Sequence, residues 1–302
     1  MVLYQSANGS PSQAGRPGFF AASARSGAQS VRRLAGWLVA ASMLLAAPAL
    51  AMESRLDTIL KRDKLIVSVM STSAPNGFID EKGELTGFEV EFARLIAKAM
   101  LGDPNKVEFM VTSVDGRFPS VLSGKADMGL SSVTRYPDRA VRLAFTTPYM
   151  DSGTAVVVRR DAGIKSLEDL NDPRVTLVAG NSTAMVDRAK RYAPQAKALF
   201  FDGDTAAALA LKSGRANAYQ ADLAMAKWTV AQNPDDFELL PGLLGNINGN
   251  SVFMKPGDFP LWLAVDTIVQ EYVSGSRYDE YRELYRKWYG SEPPAQRFYT
   301  VK

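Results

Sequence analysis

Residues 65–111 decide the fold, because LIVSV (65–69), GFEVEFARLIAKAM (87–100) and KVEFMV (106–111) follow one another there. The first and third segments are short apolar runs, which predict buried strands. The middle segment has apolar side chains at the spacing of one helical face, namely Phe88, Phe92, Leu95, Ile96 and Ala99. The sequence therefore predicts a strand, a helix and a second strand in this order.

The same alternation continues along the chain. Further strand-like runs are ADMGL (126–130), TAVVVRR (154–160), VTLVAG (175–180), ALFF (198–201), ANAYQ (216–220), FELL (237–240) and SVFM (251–254). Helical patterns separate most of them, and this alternation of strands and helices predicts an α/β fold with largely parallel sheets.

Helix signals lie between these runs. SLED (166–169) has the spacing of a capping box, Asp204 is predicted to cap a helix that runs to Ser213, and Gly214 suits its C-terminal stop. These signals are structural and carry no chemistry.

The composition excludes several kinds of site. The 302 residues contain no cysteine and no histidine, which excludes disulfides, thiol nucleophiles, imidazole acid–base catalysis and the usual zinc ligands. No Gly-rich phosphate loop follows a predicted strand, so nucleotide binding is not expected. We expect neither a metal nor another cofactor.

Residues 1–51 differ in kind from the rest, being rich in Ser, Gly and Ala. Arg32 and Arg33 precede the apolar run LAGWLVAASMLLAAPAL, which ends in the small-residue site 49–51. This pattern is typical of a secretory signal peptide cleaved after Ala51. The alternative is a membrane anchor, although a run that contains Gly, Ser and Pro is marginal for a span. The leader is long, and a start codon placed too early would explain the extra length.

The charge balance depends on the same leader. The chain has 35 basic and 32 acidic side chains, and the leader holds four arginines and no acid, which leaves 31 basic against 32 acidic residues after cleavage. The basicity belongs to the leader, so nucleic-acid binding is not expected.

Two segments predict where the chain crosses between two α/β units, each large enough for its own core. They are residues 150–154 and 241–249, both rich in residues that accept sharp backbone changes. With two crossings, residues 54–151 and 248–302 would form one lobe and residues 155–244 the other.

Several motifs occur in the order that is typical of one family. Beside GFEVEFARLIAKAM (87–100) they are FPSVLSGKAD (118–127), SVT (132–134) with Arg139, FTTPY (145–149), SLEDL (166–170), GRANA (214–218) with Asp222, and YRKWY (285–289). From residue 54 to about residue 290 the chain resembles the periplasmic solute-binding proteins that deliver amino acids to ABC transporters. The resemblance implies a type II periplasmic-binding-protein fold, in which two lobes close over one small ligand. It also implies a monomer in the periplasm, with a membrane permease as partner.

The resemblance assigns the ligand's α-carboxylate to Arg139. A guanidinium is a planar fork that matches a carboxylate with two parallel hydrogen bonds, and it stays charged. Thr134 would add a hydroxyl and a backbone N–H, and the carbonyl of Ser132 would accept from the α-ammonium. As alternatives, Arg139 would be a surface arginine paired with Asp138, and Thr134 and Ser132 would only cap the end of a strand.

The other lobe supplies the complementary groups. By resemblance, Asp222 pairs with the ammonium; as an alternative it would only cap a helix. Asn181, Ser182 and Thr183 precede a helix that begins near Ala184, whose N-terminus favours an anion. Relatives carry Gly at position 181, and Asn tolerates the left-handed backbone that Gly adopts.

The end of the pocket that sets specificity departs from the family. The positions concerned, which line the pocket or belong to the core, are Met70, Ser73, Asn76 and Val114. Relatives often place aromatic side chains at positions 73 and 114. Arg117 and the Glu-Pro-Pro tail (292–294) parallel the glutamate/aspartate binders, where an extra arginine suits a second carboxylate. The alternative is an exposed arginine at a helix start. We expect a ligand with a polar or acidic side chain.

Two other functions compete with a non-enzymatic binding protein. Periplasmic cyclohexadienyl dehydratases resemble this family, but they need a general acid, and without histidine a Glu or Asp in the cleft would have to serve. The sequence identifies no such residue. A sensor lobe or a cell-wall lytic enzyme would need more chain than the dozen residues after Gly290.

Overall fold

The computed structural model describes residues 53–245 and 248–293. The predicted signal peptide (1–51), residues 246–247 of the second predicted crossing and residues 294–302 lie outside this part. Within it, no helix combines the length and the apolar character that crossing a membrane requires.

Short strands alternate with helices along the described chain. The strands are β1 (Leu65–Val69), β2 (Thr72–Ser73), β3 (Gly77–Ile79), β4 (Leu85–Thr86), β5 (Val107–Val111), β6 (Met128–Gly129), β7 (Ala144–Ser152), β8 (Thr154–Arg159), β9 (Thr176–Gly180), β10 (Lys197–Phe201), β11 (Ala218–Asp222), β12 (Phe237–Leu239) and β13 (Asn248–Met254). The α-helices are α1 (Arg55–Arg62), α2 (Phe88–Leu101), α3 (Arg117–Leu122), α4 (Pro137–Ala140), α5 (Thr183–Tyr192), α6 (Asp204–Lys212), α7 (Leu223–Gln232), α8 (Phe259–Val273) and α9 (Tyr278–Tyr289). Two single 3₁₀ turns span Arg160–Ala162 and Glu168–Leu170.

Two five-stranded sheets organise these elements. Sheet I has the strand order β5-β1-β6-β13-β7, and sheet II has the order β10-β9-β11-β8-β12. A small third sheet contains β2, β3 and β4. The unit predicted over residues 65–111 is present, because β1 and β5 pair in parallel with α2 between them, and Leu65 lies opposite Val107.

The prediction of largely parallel sheets is correct for only half of each sheet. Pairs β1–β5, β1–β6, β9–β10 and β9–β11 are parallel, whereas the pairs made by β7, β8, β12 and β13 are antiparallel. Strand β7 of sheet I runs directly into β8 of sheet II through the single residue Gly153.

Each sheet carries its own hydrophobic core. Sheet I packs α2, α8 and α9 around Val67, Phe88 and Phe92, which are fully buried. Sheet II is covered on both faces, so alternate residues of β8 enter different cores, with Val157 on one side and Val156 on the other. This double burial explains why TAVVVRR is almost continuously apolar.

The two predicted crossing segments lie side by side. A Cβ atom on Gly153 would lie 2.7 Å from Cδ1 of Leu243, so only glycine fits there without a shift. The N–H of Leu244 donates to the carbonyl of Thr154 at 2.7 Å. Strand β13 also begins where β7 ends, since positions 248 and 152 are opposite each other. The division into lobes at these residues stays a prediction.

Candidate functional site

A small cavity lies between the two sheets, at the carboxyl ends of their parallel strands. Open α/β sheets place their ligands at this edge. The side of sheet I contributes Met70, Ser73, Val114, Arg117, Ser132, Thr134, Tyr136 and Arg139. The side of sheet II contributes Gly180, Ser182, Ala184, Met185, Arg188, Asp204, Asp222 and Met225. The cavity volume is about 50 Å³, which is room for a few small groups, since one water needs about 10–15 Å³.

Arg139 is held over the sheet I side of the cavity by short-range contacts. Helix α4 begins after Tyr136 with Pro137 in its first turn, which brings position 139 back toward the strand end. The guanidinium donates from Nη1 to the carbonyl of Thr134 at 2.8 Å and lies 5.0 Å from the ring centroid of Tyr136. Burial lowers the pKa of Arg139, and the nearby Tyr136, Asp138 and Asp222 oppose that shift.

Asp222 approaches the same cavity from sheet II. It is the last residue of β11 and the N-cap residue of α7, but its side chain makes no capping hydrogen bond. Instead Oδ2 accepts from Nδ2 of Asn250 at 3.1 Å, and the residue is 8% exposed. The helix-cap alternative therefore does not describe what this carboxylate does.

Asn250 links the two sides of the cavity and was not predicted. Its side-chain amide is fully buried, accepts from the hydroxyl of Thr134 at 3.0 Å and donates to Asp222. Nothing in the sequence marks this role, because the predicted strand starts one residue later, at residue 251. The strand begins earlier and has a register shift between positions 250 and 251.

Ser132 has a left-handed backbone with φ of 52°. Its N–H and hydroxyl both donate to Oε1 of the buried Glu89, at 2.7 and 3.1 Å, and the hydroxyl of Tyr149 donates to the same oxygen. Burial raises the pKa of Glu89. Asn76 donates to Oγ of Ser132 at 2.8 Å and is fully buried. Asn76 thus lies behind the cavity and supports Ser132, so of its two alternatives the core position is correct and the lining position is wrong.

The N-terminus of α5 also faces the cavity. Ser182 is the N-cap residue, and its Oγ accepts from the N–H of Met185 at 3.4 Å. Asn181 and Thr183 are exposed and do not line the cavity. The left-handed backbone suggested for Asn181 is wrong, because among the described non-glycine residues a positive φ occurs only at Asp63 and Ser132.

The remaining predicted pocket residues do line the cavity, and one alternative for them is wrong. Arg117 is only 6% exposed, so it is not a solvated arginine at a helix start. Its Nη1 donates to the carbonyl of Ser131 at 2.8 Å and lies 3.6 Å from the sulfur of Met70. Burial and the neighbouring Arg139 lower the pKa of Arg117 to about 10.

Asp204 belongs to the cavity although it was predicted as a helix cap. The N-cap residue of α6 is Gly203, and Asp204 is the first residue of the helix. Its carboxylate accepts from the hydroxyls of Ser73 and Tyr219, at 3.2 and 3.4 Å. Burial and the charge of Asp222 raise the pKa of Asp204 to about 6.

Tyr136 and Arg188 complete the lining and were also missed. Nη2 of Arg188 donates to the hydroxyl of Tyr136, a contact between the two sides of the cavity. Ala184, Met185 and Arg188 occupy one face of α5 near the N-terminus that faces the cavity. Their three- and four-residue spacing is the signal that could have found them.

Comparisons with known proteins identify the family of this chain. Residues 65–291 match the model of a family described as bacterial extracellular solute-binding proteins, family 3. The glutamine-binding protein of a Bacillus subtilis ABC transporter is 29% identical over 246 residues, which cover 80% of this chain and 88% of that protein.

Solved structures of amino acid-binding proteins are also similar to this chain. An ancestral amino acid-binding protein, described as a precursor of cyclohexadienyl dehydratase, is 32% identical with a TM-score of 0.70 and covers 78% of this chain and 100% of its own. The L-cysteine solute receptor of Neisseria gonorrhoeae is 30% identical with a TM-score of 0.70, covering 78% of this chain and 95% of its own. These matches confirm the type II periplasmic-binding-protein fold. With most of its length matched by the family model, the chain belongs to the bacterial extracellular solute-binding proteins of family 3.

Proposed function

We propose that this protein binds one α-amino acid as a zwitterion and presents it to the membrane permease of an ABC transporter. The observation that carries the proposal is that Arg139 and Asp222, of opposite charge and from different sheets, line one cavity. Relatives named for glutamine and L-cysteine support an amino acid as the ligand.

Each end of the zwitterion has a set of partners. The guanidinium of Arg139 takes the α-carboxylate, together with Thr134 and the N-terminus of α5 at Ser182. The carboxylate of Asp222 and the carbonyl of Ser132 take the α-ammonium. Charge-assisted hydrogen bonds contribute roughly 1.5–3 kcal/mol each. Two or three of them therefore supply most of the 8 kcal/mol or so that corresponds to micromolar affinity.

The position of the cavity between two sheets implies that the ligand promotes closure. Residues 54–151 with 248–302 and residues 155–244 act as the two lobes, and the segments 150–154 and 241–249 act as the hinge. Ligand contacts from both lobes are completed only when the lobes approach each other. The ligand therefore stabilises the closed arrangement by its differential affinity for it.

The location follows from the leader. We infer that residues 1–51 direct export and are removed, which leaves a monomeric periplasmic protein. Mass spectrometry of the exported protein tests this, since cleavage after Ala51 gives a chain that begins at Met52. A periplasmic product that keeps its leader would contradict the inference.

A thermal-shift screen against the twenty amino acids tests the binding function, because a ligand that binds only the folded protein raises its melting temperature. We expect a shift for at least one amino acid. Arg139→Ala should abolish every shift while the protein stays folded. Arg135→Ala is the matched control, since Arg135 is a nearby exposed arginine outside the lining, and it should leave the shifts unchanged. Shifts that survive in Arg139→Ala would refute the carboxylate assignment.

We also propose that the protein releases its ligand unchanged. The competing dehydratase function needs a proton donor. Of the two lining carboxyl groups, Asp204, with a pKa raised to about 6, is the one not assigned to the ligand ammonium, and it would have to supply the proton. Incubation with prephenate or arogenate should give no aromatic product. Turnover by the natural protein that disappears in Asp204→Asn would establish the enzyme instead.

A further inference from the structure

Four lining residues without a role in holding the zwitterion form one connected group, namely Met70, Ser73, Arg117 and Asp204. The sulfur of Met70 lies 3.6 Å from Nη1 of Arg117 and 4.0 Å from Oγ of Ser73. That hydroxyl donates to Oδ2 of Asp204 at 3.2 Å. The group therefore joins a guanidinium from the sheet I side to a carboxylate from the sheet II side.

Arg117 offers only hydrogen-bond donors. It is 6% exposed, and among the described residues it forms no salt bridge. Its Nε–H also has no hydrogen-bond partner within the described ranges 53–245 and 248–293. A buried cation without a paired anion is costly. An acceptor group on the ligand would lower that cost.

Asp204 offers only acceptors when it is ionised. Among the described residues, its side-chain donors are the two hydroxyls of Ser73 and Tyr219, and a carboxylate has about four lone-pair sites. Gly180 also lines the cavity, and a Cβ atom there would lie 2.9 Å from Oδ1 of Asp204. Glycine at this position therefore leaves the carboxylate accessible from the cavity.

A donor group and an acceptor group that line the same cavity from its two sides match one common side chain, the primary amide. The amide oxygen accepts from Arg117, and the amide nitrogen donates to Asp204. A second carboxylate on the ligand would suit Arg117 but would place two like charges together at Asp204. A cationic side chain would meet the reverse conflict, and an aliphatic one would leave both groups unpaired.

We propose that the cavity selects an amino acid with a side-chain amide, glutamine or asparagine, through Arg117 as donor and Asp204 as acceptor. This inference rests on the proposed function, because it assumes that Arg139 and Asp222 already hold the zwitterion. It also favours the polar over the acidic class among the ligands expected from the sequence.

Calorimetric titration with glutamine, asparagine, glutamate, aspartate and the apolar norvaline tests the proposal. We expect one of the amides to bind at least 100-fold more tightly than its acid and than norvaline at pH 7.5. In Asp204→Asn the amide should lose at least tenfold in affinity and the corresponding acid should gain. Asp202→Asn is the matched control, since Asp202 is an exposed carboxylate just before α6, and it should change neither.

Two results would overturn the proposal. The first uses the natural protein and so does not depend on the folding of a variant. The proposal fails if an acid or norvaline binds the natural protein as tightly as the amides do. If Asp204→Asn lowers the affinity for all five ligands equally, Asp204 contacts the ammonium group that they share and not the side chain. Binding that depends on Arg139 without amide preference leaves the proposed function intact. If no amino acid binds, the proposed function itself is refuted.

Discussion

Two residues at the cavity, Asp222 and Ser132, depart from the local structure that their positions in the chain would favour. Asp222 stands at a helix N-cap but accepts from Asn250 instead of capping. Ser132 adopts a left-handed backbone that few non-glycine residues take, and the buried Glu89 holds it there. Such departures from local preference are expected where a residue is held for function.

We expect Asp204 to make ligand affinity depend on pH. Burial and Asp222 raise its pKa to about 6, while Ser73, Tyr219 and Arg117 favour the ionised form. A ligand N–H that donates to this carboxylate also favours ionisation, so binding releases a proton. We therefore expect the affinity for the amide ligand to rise from about pH 5 to about pH 7 and then to level off.

Calorimetry in buffers of different ionisation enthalpy measures that proton release directly. Asp204→Asn should flatten the profile between pH 5 and pH 7, since an amide does not titrate. An affinity that falls as the pH rises through this range would contradict the acceptor role of Asp204.

At the scale of elements, the sequence predicts most strands of the two sheets because their apolar runs are short and clearly bounded. Strand β7 was not predicted because it contains Pro148, and a proline within a run argues against a strand. Proline is tolerated in edge strands, and β7 lies at the edge of its sheet. Arg139 and Asp222 could be assigned because their neighbours match family motifs. Asp204 and Asn250 could not, since their positions in the site depend on which strand ends and helix starts the fold brings together.

The close contact between the two crossing segments gives an element-scale prediction. Gly153→Val should lower stability, because a Cβ atom at this position would lie 2.7 Å from Leu243. Overpacking of this kind costs about 1–3 kcal/mol. Thermal unfolding of Gly153→Val, Leu243→Ala and the double variant measures the coupling. The double variant should recover part of the loss, and strictly additive effects would show that the two positions do not interact.

At the scale of the whole molecule, we expect contacts beside the cavity to limit how closely the two sides approach. Gly203, before α6, packs against β2, and a Cβ atom there would lie 2.3 Å from Oγ1 of Thr72. The N–H of Ala74 also donates to Oγ1 of Thr205 at 3.4 Å. These contacts join residues on opposite sides of the cavity, so we expect them to form on closure.

Gly203→Ala should therefore weaken ligand binding by holding the two sides apart, by about tenfold if the closed state loses about 1.4 kcal/mol. Calorimetry measures the affinity. Gly163→Ala is the matched control, since Gly163 also has a positive φ, but a Cβ atom there would meet no other atom within 4 Å. Equal affinities for the two variants would mean that the contact at Thr72 plays no part in closure.

The most direct test of the zwitterion grip is a crystal structure of the mature protein with its amino acid bound. We expect both α-carboxylate oxygens to lie within hydrogen-bond distance of the Arg139 guanidinium and the α-ammonium to contact the Asp222 carboxylate. A ligand bound in this cavity with either charged end turned away from its assigned partner would contradict it.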